Sequence, residues 1–267
     1  MYEELYSNIP DPYAFLRRLS LEPADFKPDK QWLDKIVYNH HRYVPFDNLD
    51  VWDKASEPSL STQDLFDKIV TRRRGGYCFE MNGHLEAALR TLGYECYSVE
   101  IRIMRGRDFM PPFRHRGVIV VIDGKKHFCD VGLGFKFFLQ SAEYNTGYND
   151  FGIKAECEDG IVKVYEQKED GSDNYLLWFK DQPALPVDFI NPNFVCSQDP
   201  TSGFRTRLSM VIMTPEEYRK NLVVDETGAV LTVKNGSETI SEHRLSDEKK
   251  ELSEILLKEF GVEYCFE

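Results

Sequence analysis

The hydrophobic periodicity of the chain changes near residue 93, and this change constrains the fold more than any other feature. Before it, apolar residues recur every three or four positions, as on one face of a helix. After it, they alternate with polar residues, as in a half-buried strand. The 267 residues are long enough for up to three small domains. Because the helical and the strand patterns occupy separate stretches of the chain, they predict an α+β protein.

The first part of the chain is predicted to be helical. The most regular pattern places Met81, Leu85, Ala88 and Leu92 on one face, and Gly93 follows where a helix C-cap is expected. Helices are predicted at 12–19, 29–43, 61–70 and 81–92.

The middle of the chain has the turn signals of antiparallel hairpins. Residues 97–103 alternate as a strand, and Asp123-Gly124 separates the apolar runs 118–122 and 127–131. Further turn signals at Asp159-Gly160 and Asp170-Gly171 favour an antiparallel barrel or sandwich.

Beyond the strands, residues 188–209 show no clear period, and we interpret them as an ordered connection. A hairpin around Asn235-Gly236 and a helix from a Ser246 cap to Gly261 follow. The predicted organisation is therefore a helical region (1–93), a β region (94–188), a connecting segment (189–212) and an α/β region (213–267).

Composition and missing motifs exclude several classes of function. The net charge of −12 disfavours nucleic acids and anionic membranes, and no apolar run exceeds five residues, whereas a bilayer span needs about 20. We therefore expect a cytosolic protein that begins at Met1. The six scattered cysteines are expected to be reduced thiols, and the histidines and cysteines lack zinc-site spacing, so no metal is expected. Phosphate-binding loops and a serine nucleophile elbow are also missing.

Cys78 lies where the predicted helix at 81–92 would begin, directly after Arg72-Arg73-Arg74-Gly75-Gly76-Tyr77. A helix N-terminus and nearby arginines would lower the pKa of the thiol. The two glycines would let the backbone approach a substrate and present N–H groups to an oxyanion. The alternative is a buried cysteine at the start of a core helix.

His115 and Asp130 are brought together by the predicted hairpin. If Asp123 and Gly124 form a two-residue turn, the register makes the two side chains diagonal neighbours on one face, and any even loop length keeps them there. They could also be a surface histidine and a turn aspartate. Together with Cys78 they supply a nucleophile, a base and a carboxylate that orients the base.

Four segments resemble motifs of the arylamine N-acetyltransferase family, in order and spacing. The nucleophile motif of that family is similar to Arg73-Arg74-Gly75-Gly76-Tyr77-Cys78-Phe79-Glu80. Its Pro-Phe-Glu-Asn-Leu, Asp-Val-Gly-aromatic-Gly and Pro-x-Ser-x-Phe motifs resemble Pro45-Phe46-Asp47-Asn48-Leu49, Asp130-Val131-Gly132-Leu133-Gly134 and Pro200-x-Ser202-x-Phe204. The resemblance extends from about residue 10 to 210 and weakens beyond.

The resemblance implies a helical bundle, an antiparallel β-barrel and an α/β lid around a cysteine-protease-like Cys-His-Asp core. It also implies ping-pong transfer of an acetyl group from acetyl-CoA to an arylamine, arylhydroxylamine or arylhydrazine, without a metal. The catalytic residues would be Cys78, His115 and Asp130, and the substrate pocket would include Phe46, Leu133, Gly134 and Phe204.

Three positions depart from the family pattern: Leu133 replaces an aromatic residue, Asp47 replaces a glutamate, and Arg114 replaces a small residue. Asp47 is interpreted as a turn residue. Arg114 is either a solvated charge or a contact for a carboxylated amine or a CoA phosphate. Alternatives for the whole protein are a related amide synthase, a cysteine hydrolase with the same triad, or an inactive small-molecule binding homologue. The sequence predicts no oligomeric state.

Overall fold

The structure is a computed structural model that describes residues 2–266, with a helical region followed by two antiparallel sheets. Its helices are α1 (Pro12–Arg18), α2 (Lys30–Tyr43), α3 (Leu49–Lys54), α4 (Thr62–Phe66), α5 (Cys78–Thr91), α6 (Ile190–Gln198), α7 (Gly203–Thr206) and α8 (Lys249–Phe260). A π-helical turn, Asp67–Thr71, extends α4. All four helices predicted in the first part are present. Within residues 2–266, no helix combines the length and apolarity needed to cross a bilayer.

Helix α5 is the centre of the helical region. It begins at Cys78, three residues before the first position of the apolar pattern, because the Glu80 carboxylate accepts a hydrogen bond from the Tyr77 backbone N–H at 3.1 Å and so caps the first turn. Every residue from Cys78 to Leu89 is buried. The helix therefore packs against neighbours on all sides, which fixes its first residue in space.

The strands are β1 (Phe46–Asp47), β2 (Glu95–Ile103), β3 (His115–Ile122), β4 (Lys125–Cys129), β5 (Ala142–Glu143), β6 (Ile153–Glu158), β7 (Ile161–Gln167), β8 (Asp173–Lys180), β9 (Leu208–Met213), β10 (Arg219–Asp225), β11 (Gly228–Asn235) and β12 (Glu238–Leu245). Seven of them form one sheet in the order β5-β4-β3-β2-β8-β7-β6. A bridge between Tyr144 and Ala155 joins its two edges. The sheet is thus a nearly closed barrel rather than a sandwich, with Val99, Ile119, Phe128 and Leu177 in its core.

The second sheet has the order β1-β9-β10-β11-β12, and α8 packs on it through Leu252 and Leu256. Strand β1 comes from the predicted helical region, and β9 extends across the predicted boundary at 212–213. Gly261 ends α8 in a left-handed conformation, as predicted. The predicted Ser246 cap is wrong, since Glu248 occupies the N-cap.

The predicted connection at 188–209 contains α6 and α7 instead of irregular chain. Its helical period was hidden because α6 buries Asn193, Cys196 and Ser197 and leaves Phe194 53% exposed. Pro192 is tolerated because it lies in the first turn, where backbone N–H groups have no partner in the helix. Helix α6 also forms part of the wall of the cavity described below.

Candidate active site

The β3–β4 hairpin has the predicted two-residue turn. Ile122 pairs with Lys125, and both Asp123 and Gly124 have positive φ angles, 52° and 76°. His115 is the first residue of β3, and Asp130 directly follows β4. Nε2 of His115 lies 2.5 Å from Oδ2 of Asp130, and the two side chains are almost completely buried. The structure thus brings the predicted imidazole and carboxylate together.

Asn82 connects this pair to the helix that supplies the cysteine. Its Nδ2 donates to Oδ1 of Asp130 at 2.9 Å and to the carbonyl of Arg116 at 2.6 Å, and its Oδ1 accepts from the Val131 backbone N–H at 3.0 Å. Asn82 was not among the predicted site residues. Its position one turn after Cys78, on the same face of α5, was the available signal.

Cys78 is the first residue of α5 and is 3% exposed. Its Sγ lies 3.9 Å from the carbonyl oxygen of Arg114, and it lines one cavity with His115. A Cβ on Gly132 would lie 2.7 Å from Cα of Cys78 and 2.9 Å from Nδ2 of Asn82. Only glycine therefore allows the end of the hairpin to pack this closely against the nucleophile helix.

The electrostatic surroundings of Cys78 differ from the prediction. Burial raises the pKa of its thiol well above the usual value, Cys196 and Asp130 raise it further, and hydrogen bonds from the Phe79 and Arg116 backbone N–H groups oppose them. A thiolate at this position therefore depends on a base that takes the proton and remains beside the sulfur as a cation. The Nδ1 atom of His115 is available for this, since Nε2 faces Asp130.

The expectation that Arg72, Arg73 and Arg74 stabilise the thiolate is wrong. Arg74 forms ion pairs with Asp50 at 3.2 Å and with Asp47 at 3.5 Å. The other two are exposed, and none of the three lines the cavity of Cys78. These arginines precede Cys78 in sequence, but their side chains lie outside its cavity.

The roles predicted for Gly75 and Asp47 are also wrong. A Cβ on Gly75 would lie 1.8 Å from the backbone oxygen of Pro45, so this glycine permits backbone packing inside the protein rather than approach of a substrate. Asp47 is completely buried in β1 and pairs with Arg74 instead of lying in a turn. Together these contacts hold the start of α5 against the second sheet.

The cavity beside Cys78 and His115 has a volume of about 540 Å³. It is lined by the predicted pocket residues Phe46, Leu133, Gly134 and Phe204 and also by Arg114, for which a ligand contact was one of two interpretations, whereas Asp130 lies behind His115. The lining also includes Cys196 of α6, which was not among the predicted site residues. Apolar walls with one nucleophile and one base suit a small aromatic reactant.

The six cysteines are free thiols. Among residues 2–266, no three His, Cys, Asp or Glu side chains are grouped so that they could hold a metal ion.

A buried cysteine at a helix start, a histidine held by a buried aspartate and an adjoining cavity with partly apolar walls define an enzyme of the cysteine-nucleophile class. Comparison with known proteins specifies the family. A family model described as N-acetyltransferase matches residues 29–265, so the match continues well past residue 210, beyond which the resemblance of the motifs weakens. The chain belongs to this family, it is an acyltransferase, and the sequence resemblance to arylamine N-acetyltransferases is confirmed.

Individual relatives agree with this assignment. An arylamine N-acetyltransferase / N-hydroxyarylamine O-acetyltransferase of Salmonella typhimurium is 35% identical over 76% of this chain and 73% of its own length. An arylamine N-acetyltransferase of Mycolicibacterium smegmatis is 28% identical over 94% of this chain and 91% of its own length. The structure of the Mycobacterium marinum arylamine N-acetyltransferase in complex with CoA superimposes with a TM-score of 0.82 at 25% identity, covering 94% of this chain and 93% of that one.

Proposed function

We propose that this enzyme transfers the acetyl group of acetyl-CoA to the nitrogen of an arylamine, arylhydroxylamine or arylhydrazine through an acetyl-Cys78 intermediate. The observation that supports this most directly is the convergence of Cys78, the His115–Asp130 pair and the predicted pocket residues on one cavity. The solved relative with bound CoA supports the choice of acyl donor.

In the first half-reaction, His115 takes the thiol proton at Nδ1 and Cys78 Sγ attacks the thioester carbonyl. A new S–C bond forms, the thioester C–S bond breaks, and His115 returns the proton to the departing CoA sulfur. Asp130 stabilises the imidazolium that exists between these transfers, because its Oδ2 lies 2.5 Å from Nε2. No electrons are gained or lost.

In the second half-reaction, the amine attacks the acetyl carbonyl while His115 accepts a proton from the amine nitrogen. The C–S bond to Cys78 breaks, and the cysteine recovers the proton. The backbone N–H of Cys78 lies in the first turn of α5, where no helix carbonyl is available as its partner, so it is placed to stabilise the oxyanion. Phe46, Leu133 and Phe204 provide apolar walls for the aryl ring.

The test is to incubate the protein with acetyl-CoA alone and to locate the added acetyl group by mass spectrometry. We expect one acetyl group on Cys78, discharged when aniline or phenylhydrazine is added. The Cys78→Ala protein should remain unmodified, and Cys265→Ala, which removes an exposed thiol, should behave as the parent.

Acetylation of another residue, or a reaction that needs both substrates together, would contradict the ping-pong scheme. An acetyl-enzyme that water discharges as fast as an amine would identify a cysteine hydrolase instead. An amide product formed only with another acyl donor would identify an amide synthase.

A further inference from the structure

A buried ion pair that takes no part in the proposed reaction joins strand β3 to helix α5. Nη2 of Arg116 lies 2.7 Å from Oε2 of Glu86, and the two side chains are only 4% and 8% exposed. Arg116 also donates from Nε to Oγ of Ser98 at 2.8 Å, and the Ser98 hydroxyl donates to the same Glu86 oxygen at 2.9 Å. The guanidinium is therefore held by two partners, one on α5 and one on β2.

The position of Arg116 in the chain links this ion pair to the reacting residues. It directly follows His115 in β3, and its carbonyl accepts a hydrogen bond from Nδ2 of Asn82 at 2.6 Å. Because side chains alternate along a strand, its side chain shares a face with Val118, which packs in the same core cluster as α5. The Arg116 backbone thus contacts α5 one turn after Cys78, and its side chain binds α5 two turns after Cys78.

Gly83 in the middle of α5 makes room for the guanidinium. Glycine is a poor helix former, so its place inside a buried helix requires a reason. A Cβ at this position would lie 2.7 Å from Nη1 of Arg116 and 3.3 Å from its guanidinium carbon. The guanidinium could not move aside without straining its hydrogen bonds to Glu86 and Ser98. The missing Cβ of Gly83 therefore lets Arg116 pack directly against the helix.

Stability alone does not account for such an ion pair. Removing a guanidinium and a carboxylate from water costs about as much free energy as their attraction returns, and well-packed apolar side chains often stabilise a core equally well. A buried pair does define an orientation, because the planar guanidinium binds a carboxylate only in certain geometries. Here it orients β3, which carries His115, against α5, which carries Cys78.

We propose that Arg116 is a positioning residue, whose ion pair with Glu86 beside Gly83 sets the separation at which His115 and Cys78 exchange a proton. The ion pair lies outside the described lining of the cavity, so it acts through the position of β3 and not through contact with a substrate. The inference rests on the proposed function, because it concerns the proton transfer that opens the first half-reaction.

The experiment compares Arg116→Met, which removes the charge, with Arg90→Met as the matched control. Arg90 pairs with Oε1 of Glu86 at 2.7 Å but lies on α5 itself, so its loss leaves the link to β3 in place. For Arg116→Met we expect acetylation of Cys78 by acetyl-CoA to slow about tenfold, since misplacing reacting groups by about 1 Å can cost about 10²-fold. Arg90→Met should stay within about twofold of the parent, and Arg116→Lys, which keeps the charge, should recover part of the rate.

The pH dependence of alkylation separates positioning from stability. Iodoacetamide reacts with the thiolate, and mass spectrometry of the digested protein reports the rate at Cys78 alone. If β3 shifts, His115 holds the thiol proton less well, so the apparent pKa of this alkylation should rise by about one unit in Arg116→Met. A folded Arg116→Met protein with the parental profile and acetylation rate would overturn the proposal, even if its melting temperature were lower.

Gly83→Ala is a second test, which decides the question if Arg116→Met does not fold. Alanine favours a helix, so a purely local effect would stabilise α5. We expect acetylation to slow about tenfold instead, and by less than about twofold when Gly83→Ala is added to Arg116→Met, because the displaced guanidinium is then missing. Gly83→Ala with the parental rate and alkylation profile would overturn the proposal, and so would equal losses in the two backgrounds.

A parent protein that acetyl-CoA does not acetylate would instead contradict the proposed function. Because the alkylation profiles need neither substrate, they would still decide whether Arg116 positions His115 and Cys78.

Discussion

The cavity has two regions that differ in burial and in the hydrogen bonding of their polar side chains. The catalytic cluster, Cys78, Asn82, His115 and Asp130, is no more than 3% exposed and its polar side chains are hydrogen-bonded to one another or to backbone. The arginine rim, Arg105, Arg107, Arg114 and Arg207, is exposed, and within residues 2–266 none of these side chains forms an ion pair with a carboxylate. A buried polar group that loses its partner is costly, whereas an exposed one is not. Changes in the cluster should therefore affect every acceptor and the stability of the fold, and changes at the rim should alter only the choice of ligand.

The largest effect is expected from Asp130→Asn. The amide keeps the shape of the side chain but removes the charge that stabilises imidazolium at His115. In a serine-protease triad the equivalent change lowers turnover by about 10⁴, and we expect a loss of at least about 10² in the acetylation of Cys78. Single-turnover acetylation and thermal melting should be measured on the same samples. The loss should be the same whichever acceptor follows.

An Asp130→Asn protein that has the melting temperature of the parent and acetylates Cys78 at a similar rate would contradict the importance assigned to the catalytic cluster. Cys78 and His115 would then work as a dyad, with Asp130 serving only the end of the hairpin.

A smaller effect is expected from Asn82→Ala, which removes the link between α5 and the hairpin. The substitution leaves Asp130 Oδ1 without one donor and the Val131 N–H without its acceptor inside the core. We expect the free energy of unfolding to fall by about 2 kcal/mol, together with slower acetylation. Urea denaturation provides the measurement.

The matched control is Asn39→Ala, because Asn39 donates to the Lys35 carbonyl within its own helix α2 at an exposed site. It should change the stability by less than about 0.5 kcal/mol. Equal changes in the free energy of unfolding for Asn82→Ala and Asn39→Ala would show that the Asn82 hydrogen bonds make no specific contribution to stability.

The smallest effect concerns acid stability, which depends on histidines beneath the cluster and not on the rim. His84 lies against Phe15 and Phe66, and neither ring nitrogen has a hydrogen-bond partner among the described residues. Burial lowers its pKa to about 3, with Arg18 as a further cause, and burial lowers the pKa of His41 to about 4. The unfolded chain takes up these protons near pH 6.5, whereas the folded chain does not, so stability present above pH 6.5 is lost as the pH falls.

Between pH 6 and 5, the free energy of unfolding of the parent should fall by about 1 kcal/mol more than that of a His84→Leu variant, as measured by urea denaturation at each pH. Carboxylates titrate in both proteins, so the difference isolates His84. His243→Leu changes an exposed histidine of β12 and should follow the parent. Parallel stability curves for the parent and His84→Leu would show that His84 does not contribute to acid unfolding.

The sequence alone determined the features that depend on neighbouring residues in the chain. The change of period separated helices from strands, and Asp123-Gly124 predicted a hairpin, for which any even loop length gives the same facing; the structure has the two-residue turn. Since antiparallel register follows from the turn, it also placed His115 and Asp130 on one face before any tertiary contact was known. Residues whose positions depend only on local geometry were therefore predictable.

The tertiary structure alone decided the charges and partners around those residues. Arg74 lies four positions from Cys78 in the chain, but its side chain pairs with Asp47 and Asp50. Arg114 is distant from Cys78 in sequence, yet both residues line one cavity. Helix α6 was hidden because it buries mostly polar or small side chains, and it supplies Cys196 to the cavity wall. Electrostatic interactions and burial depend on distances through space, which a local sequence pattern does not encode.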